Sequence, residues 1–221
     1  DKEKKKIKDV SFELASSGMQ VIALSERDFS EYNSSDAKKL ESNMTLVGFV
    51  GFLDPVKKGV KETLLKLKGI GVNTKIITGD NPYTTKNICT LAGLNGDNIL
   101  TGNEIDKMSD DELSLKLNSV SVFARMNPLQ KERVVRLYRS AGHVVGYIGD
   151  GVNDAPSISK ADVGISVVNA TSIAKEASDI ILLERSLKVL YDGVLEGRKV
   201  YGNIIKYMKM ALSADFGDVF S

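Results

Sequence analysis

"VVGYIGDGVNDAPS", residues 144–157, decides how the chain is read. An apolar run ends at Gly149 and is followed at once by two acids and an amide, Asp150, Asn153 and Asp154. A short apolar run closed by turn residues reads as a buried strand, here 143–149, and the residues after it read as a helix, 153–159. Gly149 and Gly151 are expected to let the backbone turn tightly around Asp150. In open parallel α/β sheets the ligand site lies at the carboxyl ends of the strands, which is where this turn stands.

Working outward, the pattern alternates between periods of two and 3.6. Upstream come strand 72–78, helix 82–92 ending at Gly93, strand 120–125 and helix 128–140. Downstream come strand 161–167, helix 171–178 and strand 179–184. Helix 56–70 precedes them, with Val60, Leu64, Leu67 and Ile70 at helical spacing. Strands alternating with helices mean right-handed crossovers and a mostly parallel sheet. Nearer the start, a helix end closed by Gly18, a strand at 19–25 and a β-rich run at 44–55 flank a polar loop, 26–43. The polar stretch 95–118 carries no visible chemistry. From Leu187 onward helical spacing holds to Leu212, across Gly193, Gly197 and Gly202. This is one long helix or two in line, either packed on the domain or forming a stalk that enters a membrane.

The chain has 221 residues, 42% of them hydrophobic, enough for a core, and a net charge of +1, which gives no electrostatic footprint for nucleic acid. The basic run at 2–6 is short and reads as a solvated helix face. Cys89 is the single cysteine and His143 the single histidine, so an intrachain disulfide and a cysteine metal cluster are excluded. No uninterrupted apolar run reaches membrane-spanning length.

Three strand ends carry polar groups. The first supplies Thr78, Gly79 and Asp80; the second leads to Arg125, with Lys131 on the next helix; the third supplies Asp150, Asn153 and Asp154. A hydroxyl, a backbone N–H beside glycine, a cation and two carboxylates suit a phosphoryl group plus a divalent ion. Thr-Gly-Asp alone is a common turn, and a lysine early in a helix is usually solvated. Read as solvated, Lys131 is expected to change stability by only about ±0.5 kcal/mol when truncated. Gly-Asp-Gly-Val-Asn-Asp-Ala-Pro, eight residues in order after an apolar strand, is poorly explained as a turn.

The motifs "DPVK" (54–57), "TGDN" (78–81), "FARMNPLQK" (123–131), "GDGVNDAP" (149–156) and "AKEASDIILLE" (174–184) together resemble the haloacid dehalogenase superfamily. More narrowly they resemble the phosphorylation domain of P-type cation-transporting ATPases, from about Thr45 onward. The stretch from Ile181 to the end looks most like the magnesium-translocating branch. The family phosphorylates an aspartate in an Asp-Lys-Thr-Gly-Thr motif, and no aspartate here begins one.

The resemblance implies a Rossmann-like α/β haloacid dehalogenase fold with a mostly parallel sheet. To it are added the end of a nucleotide-binding domain (1–45) and a stalk helix leading into the fifth membrane helix (187–221). Residues 46–186 are then the second segment of the phosphorylation domain. The resemblance assigns magnesium to Asp150 and Asp154. It assigns the transferred phosphate to Thr78, Gly79 and Lys131, and the nucleotide to Asp80, Arg125 and Asn153. Asp54 and Pro55 match a hinge between the cytoplasmic domains. Three departures from the family pattern, at four positions, stand out. Val56 stands at the hinge's usual second proline, Gln20 at a common arginine, and Asp215 and Asp218 at usual asparagines.

The implied whole is a multi-pass pump of the cell membrane, with this segment on its cytoplasmic side. It would use ATP and Mg2+ to move a divalent cation through an aspartyl phosphate, and this chain would be inactive alone. Three alternatives stand beside it. They are the same region of a calcium or other cation pump, a free-standing phosphatase of the superfamily, and a catalytically silent magnesium- or nucleotide-binding module.

Overall fold

The computed structural model describes residues 2–28, 42–52, 56–184 and 186–220. The chain opens with α1 (Lys2–Ser16), stopped by Gly18 at φ 88°, then β1 (Gln20–Glu26) and β2 (Thr45–Phe52). β1 and β2 pair antiparallel in a sheet of their own, with Gln20 opposite Phe52 and Glu26 opposite Thr45. The run expected at 44–55 is therefore a partner of β1 and not part of the parallel sheet. The expected hinge, Asp54 and Pro55, lies outside the described residues.

Next come α2 (Val60–Gly69), β3 (Ile76–Ile77), α3 (Pro82–Ala92), β4 (Ile99–Thr101), α4 (Gly102–Ile105) and α5 (Asp110–Leu117). They are followed by β5 (Val122–Ala124), α6 (Pro128–Ser140), β6 (Gly146–Ile148) and a 3-10 turn at Val152–Asp154. The last elements are α7 (Ala155–Lys160), β7 (Val163–Val167), α8 (Ser172–Glu176), β8 (Ile180–Leu182) and α9 (Leu187–Phe220). All ladders after β2 are parallel, in two three-stranded sheets of order β3-β5-β4 and β6-β7-β8. The expected α/β architecture is what the chain adopts. Helix 56–70 is shorter than its periodicity implies, because Gly59 at φ 82° sets its start.

Two cores lie under these sheets. Leu100, Ile105, Leu113, Leu117, Phe123 and Val134 form one; Val135, Tyr147, Ile158 and Ala174 form the other. The helix α6 serves both, through Val134 and Leu137 on one side and Val135 on the other. Ile77 packs against both. The stretch 95–118, unreadable by charge and polarity, thus places Leu100, Ile105, Leu113 and Leu117 in a core. Its signal was in the caps. Thr101 with Glu104 and Ser109 with Glu112 are capping boxes that start α4 and α5. Arg133 fastens this segment to α6, donating to Asp110 at 2.7 Å and to the carbonyls of Ile105 and Met108 at 2.9 and 2.7 Å.

These contacts predict an acid response. Hydrogen bonds from Arg136 and Arg133 hold the Asp110 carboxyl below its ordinary value, 3.8, and the Val145 N–H and Arg139 do the same for Asp162. Ser109 lowers Glu112, and Thr101 lowers Glu104. The unfolded chain therefore takes up protons first as pH falls. The stability these groups contribute is complete above about pH 5 and is lost below about pH 4, as pH falls through their folded values. Urea midpoints measured from pH 6 to pH 3 should decline across that window. Asp110→Asn should flatten the decline, and an unchanged midpoint at pH 3 would refute the assignment.

The long C-terminal helix is one unbroken element of 34 residues, about 50 Å at 1.5 Å per residue. Its first turns pack on α2, with Leu187, Leu190 and Tyr191 against the cluster of Leu64, Leu67 and Ala92. Arg198 donates to the Ile70 carbonyl at 2.6 Å. Farther along, Tyr201, Tyr207, Met210 and Phe216 are exposed. Among the described residues no helix is long and apolar enough to cross a membrane.

Candidate active site at the strand ends

The carboxyl ends of β3 and β6 open on one cleft of about 1280 Å³. Each supplies its turn because local sequence ends the strand there. After β3, Asn81 accepts from the Tyr83 N–H at 3.0 Å and Pro82 starts α3. After β5, Asn127 and Gln130 form a capping box at 2.8 and 2.9 Å, and Pro128 starts α6. That cap places Lys131 in the helix's opening turns, facing the third strand end. After β6, Gly149 is required by close approach, since a Cβ there would lie 2.4 Å from Asp154 Cβ. Gly151 is not: its φ is −100°, and a Cβ would meet nothing nearer than 3.5 Å. The expected tight-turn role therefore belongs to Gly149 alone.

Thr78, Lys131, Asp150 and Asp154 all line the cleft. Gly79, Asp80, Arg125 and Asn153 are not among its lining residues. Asp80 is tied to Thr78 instead. The Thr78 hydroxyl donates to Asp80 Oδ2 at 2.8 Å and accepts from the Asp80 N–H at 3.1 Å. The Arg125 N–H donates to the Asp80 carbonyl at 2.9 Å, with Arg125 at a left-handed φ of 51°. This cross-link locks the β3 and β5 ends together, and it engages the hydroxyl expected to hold phosphate. Asn153 is exposed on the 3-10 turn.

Lys131 departs most from its sequence reading. It is 9% exposed, and its Nζ lies 2.8 Å from Asp154 Oδ1. The expectation of a solvated lysine with little effect on stability is overturned, because truncation here leaves a largely buried carboxylate short of its cation. The same oxygen accepts from the Tyr147 hydroxyl at 3.0 Å, and Oδ2 accepts from the Gly151 N–H at 3.3 Å. Burial works to raise the Asp154 carboxyl, but the hydrogen bond and charge of Lys131, helped by Tyr147 and Gly151, outweigh it and hold the pKa below its ordinary value. Asp154 is thus a fixed anion. Asp150 is exposed, and its carbonyl accepts from the Thr171 N–H at 3.0 Å, which pins the turn.

The donor set can hold a hard divalent ion of the magnesium kind, with Asp150 as the direct ligand and water completing the shell. Among the described residues no group of three or more histidine, cysteine or acidic side chains gathers around one point. Asp154, with both oxygens engaged, fits a role in holding Lys131 and the ion's waters better than a direct bond. Chemically, the strand ends offer the cleft the exposed Asp150 carboxylate for a metal and the buried Lys131 ammonium for an oxyanion.

Residues 4–162 match the haloacid dehalogenase-like hydrolase family. The match, and the relatives below, reach well before Thr45, where the sequence motifs first make the likeness visible. The chain is 43% identical to the magnesium-transporting ATPase, P-type 1, of Escherichia coli K12, over 98% of this chain and 24% of that protein. It is 39% identical to calcium-transporting ATPase 1 of Bacillus cereus, over 87% of this chain and 22% of that protein. It therefore spans about a quarter of the length of these relatives. The crystal structure of a zinc-transporting PIB-type ATPase matches over 90% of this chain and 26% of its own, with a TM-score of 0.61 at 22% identity, which is a likeness of fold.

Proposed function

Because the chain belongs to the haloacid dehalogenase-like hydrolases, in the form that P-type ATPases carry, we propose that it is the later phosphorylation segment of a magnesium-transporting pump. In this reading the whole protein hydrolyses ATP through an aspartyl phosphate and moves a divalent cation across the cell membrane. Residues 1–45 end a nucleotide-binding domain, 46–186 complete the phosphorylation domain, and 187–221 form a stalk toward the membrane on the cytoplasmic side. The β1–β2 ladder supports moving the first boundary past Phe52. Asp54 and Pro55 keep the hinge role proposed for them.

The observation that carries the reading is the cleft itself. It presents Lys131, Asp150 and Asp154 together, yet this sequence contains no Asp-Lys-Thr-Gly-Thr nucleophile to serve. β3 and β6 are each paired on one side only, and both line the cleft through Ile77, Tyr147 and Ile148. A parallel strand added between them by another segment would carry its last residue to the same mouth. An aspartate there would sit opposite Lys131 and Asp150.

The residues then divide the work. Asp150 holds the magnesium ion, which when bound neutralises phosphate charge. Lys131 offsets the charge on the transferred group. Thr78 and Gly79 hold phosphate oxygens once the Thr78 hydroxyl turns from Asp80. Asp80, Arg125 and Asn153 contact the nucleotide from the rim. The second reading, the same region of a calcium pump, is favoured by the 39% identity to such a protein and differs only in the cargo.

Labelled ATP and Mg2+ followed by acid quench should leave this chain unlabelled. The same chain joined to an upstream segment bearing Asp-Lys-Thr-Gly-Thr should become labelled on that aspartate. Acid-stable label on the chain alone would sink the proposal.

A further inference from the structure

Tyr147 stands two residues before the Gly-Asp-Gly-Val-Asn-Asp-Ala-Pro motif and has been given no role in the site, yet it touches the Asp154 carboxylate. It sits in the middle of β6, is 7% exposed, and donates its hydroxyl hydrogen to Asp154 Oδ1 at 3.0 Å. Lys131 donates to that same oxygen at 2.8 Å from a different element, α6. The two donors are therefore independent in origin, one on a strand and one on a helix. Lys131 also lines the cleft, and an ammonium group has three N–H donors. An anion entering the cleft competes with Asp154 for them. Without another side-chain donor, a shift of the ammonium would leave a largely buried carboxylate with only the Gly151 N–H, a costly state.

We propose that Tyr147 is a positioning residue that holds Asp154 independently of Lys131, so that the lysine can turn to an anion in the cleft while the carboxylate stays in place. That the anion is a phosphoryl group rests on the function proposed above; the holding of Asp154 does not. Burial, reinforced by the negative charge of Asp154, pushes the Tyr147 hydroxyl above its ordinary range, so it remains a protonated donor at physiological pH. The tyrosine cannot follow the anion, because it is fixed in the β6 ladder opposite Gly164.

The test is a cycle of urea unfolding on this chain, comparing Tyr147→Phe, Lys131→Met and the double variant. Tyr147→Phe keeps the ring and removes only the hydroxyl. In the parent chain it should raise the unfolding constant by about tenfold, the size of one hydrogen bond. In the Lys131→Met chain the same change should raise it on the order of a hundredfold, because the last side-chain donor to a carboxylate is lost. Repeating the cycle on Asp154→Asn should remove the difference, since a neutral amide leaves no charge unpaired. A tyrosine that merely packs would give the same factor in both backgrounds, and that result overturns the proposal. Failure of Lys131→Met alone to fold overturns it too, for Tyr147 would then not hold Asp154 by itself. A double variant that fails to fold while both single variants fold is the expected coupling in its extreme form. The cycle requires neither nucleotide nor nucleophile, so it reads Tyr147 whether or not the chain serves phosphoryl transfer.

Discussion

Lys131→Ala should destabilise this chain by about 3 kcal/mol and, in the proposed pump, slow phosphorylation by about 10²–10³. The first figure follows from burial. Lys131 and Asp154 have side chains only 11% and 15% exposed and meet at 2.8 Å. Removing one partner of such a pair leaves the other charge short of compensation, which costs about 3–5 kcal/mol. The lower end applies because Tyr147 and Gly151 remain on the carboxylate. A loss of this size is a large share of a typical domain stability, about 5–15 kcal/mol, but leaves the fold populated. The second figure follows from position, since Lys131 is a buried cation that lines the cleft at the strand ends, beside Asp154. Chemical denaturation of the chain and phosphoenzyme rates in membranes measure the two effects separately. A destabilisation under about 0.5 kcal/mol would return Lys131 to the solvated class of surface residues. Normal phosphorylation would remove it from the site.

Asp150→Asn should do the opposite in one respect. The side chain is exposed, so stability should change by no more than about ±0.5 kcal/mol. Its effect should fall on the metal. Magnesium keeps most of its waters when protein ligands are few, so the parent chain should bind it no more tightly than roughly millimolar. Calorimetric titration should lose that weak binding in the asparagine variant. In the proposed pump, the same change should lower phosphorylation by about 10²–10³, since charge at the transferring group goes uncompensated. Submicromolar binding by the parent chain would mean that it holds a complete site, contrary to the proposal. Lys131 and Asp150 are thus expected to separate: one supports fold and chemistry, the other chemistry alone.

Helix starts and most strand positions were legible because they are local. Pro82 and Pro128 mark helix starts by geometry that needs no partner, and Gly18 and Gly93 mark ends by a positive φ. The alternation of periods from Ile76 onward was enough to assign parallel α/β architecture, because each period reflects which face of an element is buried. The residue types of the site were legible for the same reason, since Thr78, Lys131, Asp150 and Asp154 stand at fixed offsets from strand ends. The stretch 95–118 was not read, although its capping boxes are visible in the sequence. Its four core residues are spread among charges, and polarity hid them.

What only the tertiary structure decided was partnership. Sequence spacing cannot say that the β2 run pairs backward onto β1, because spacing fixes which residues alternate and not which strand lies beside them. Nor can it say that Thr78 spends its hydroxyl on Asp80, or that Lys131 lies against Asp154 and Tyr147. The lysine is 23 residues from the aspartate. Local propensity ends within a turn or two of each residue, while an ion pair is set by how α6 packs on both cores and how closely Gly149 lets the next turn approach. The sequence by itself determined which residue types stand at the strand ends; the packing decided which of them line the cleft and which are already held by one another.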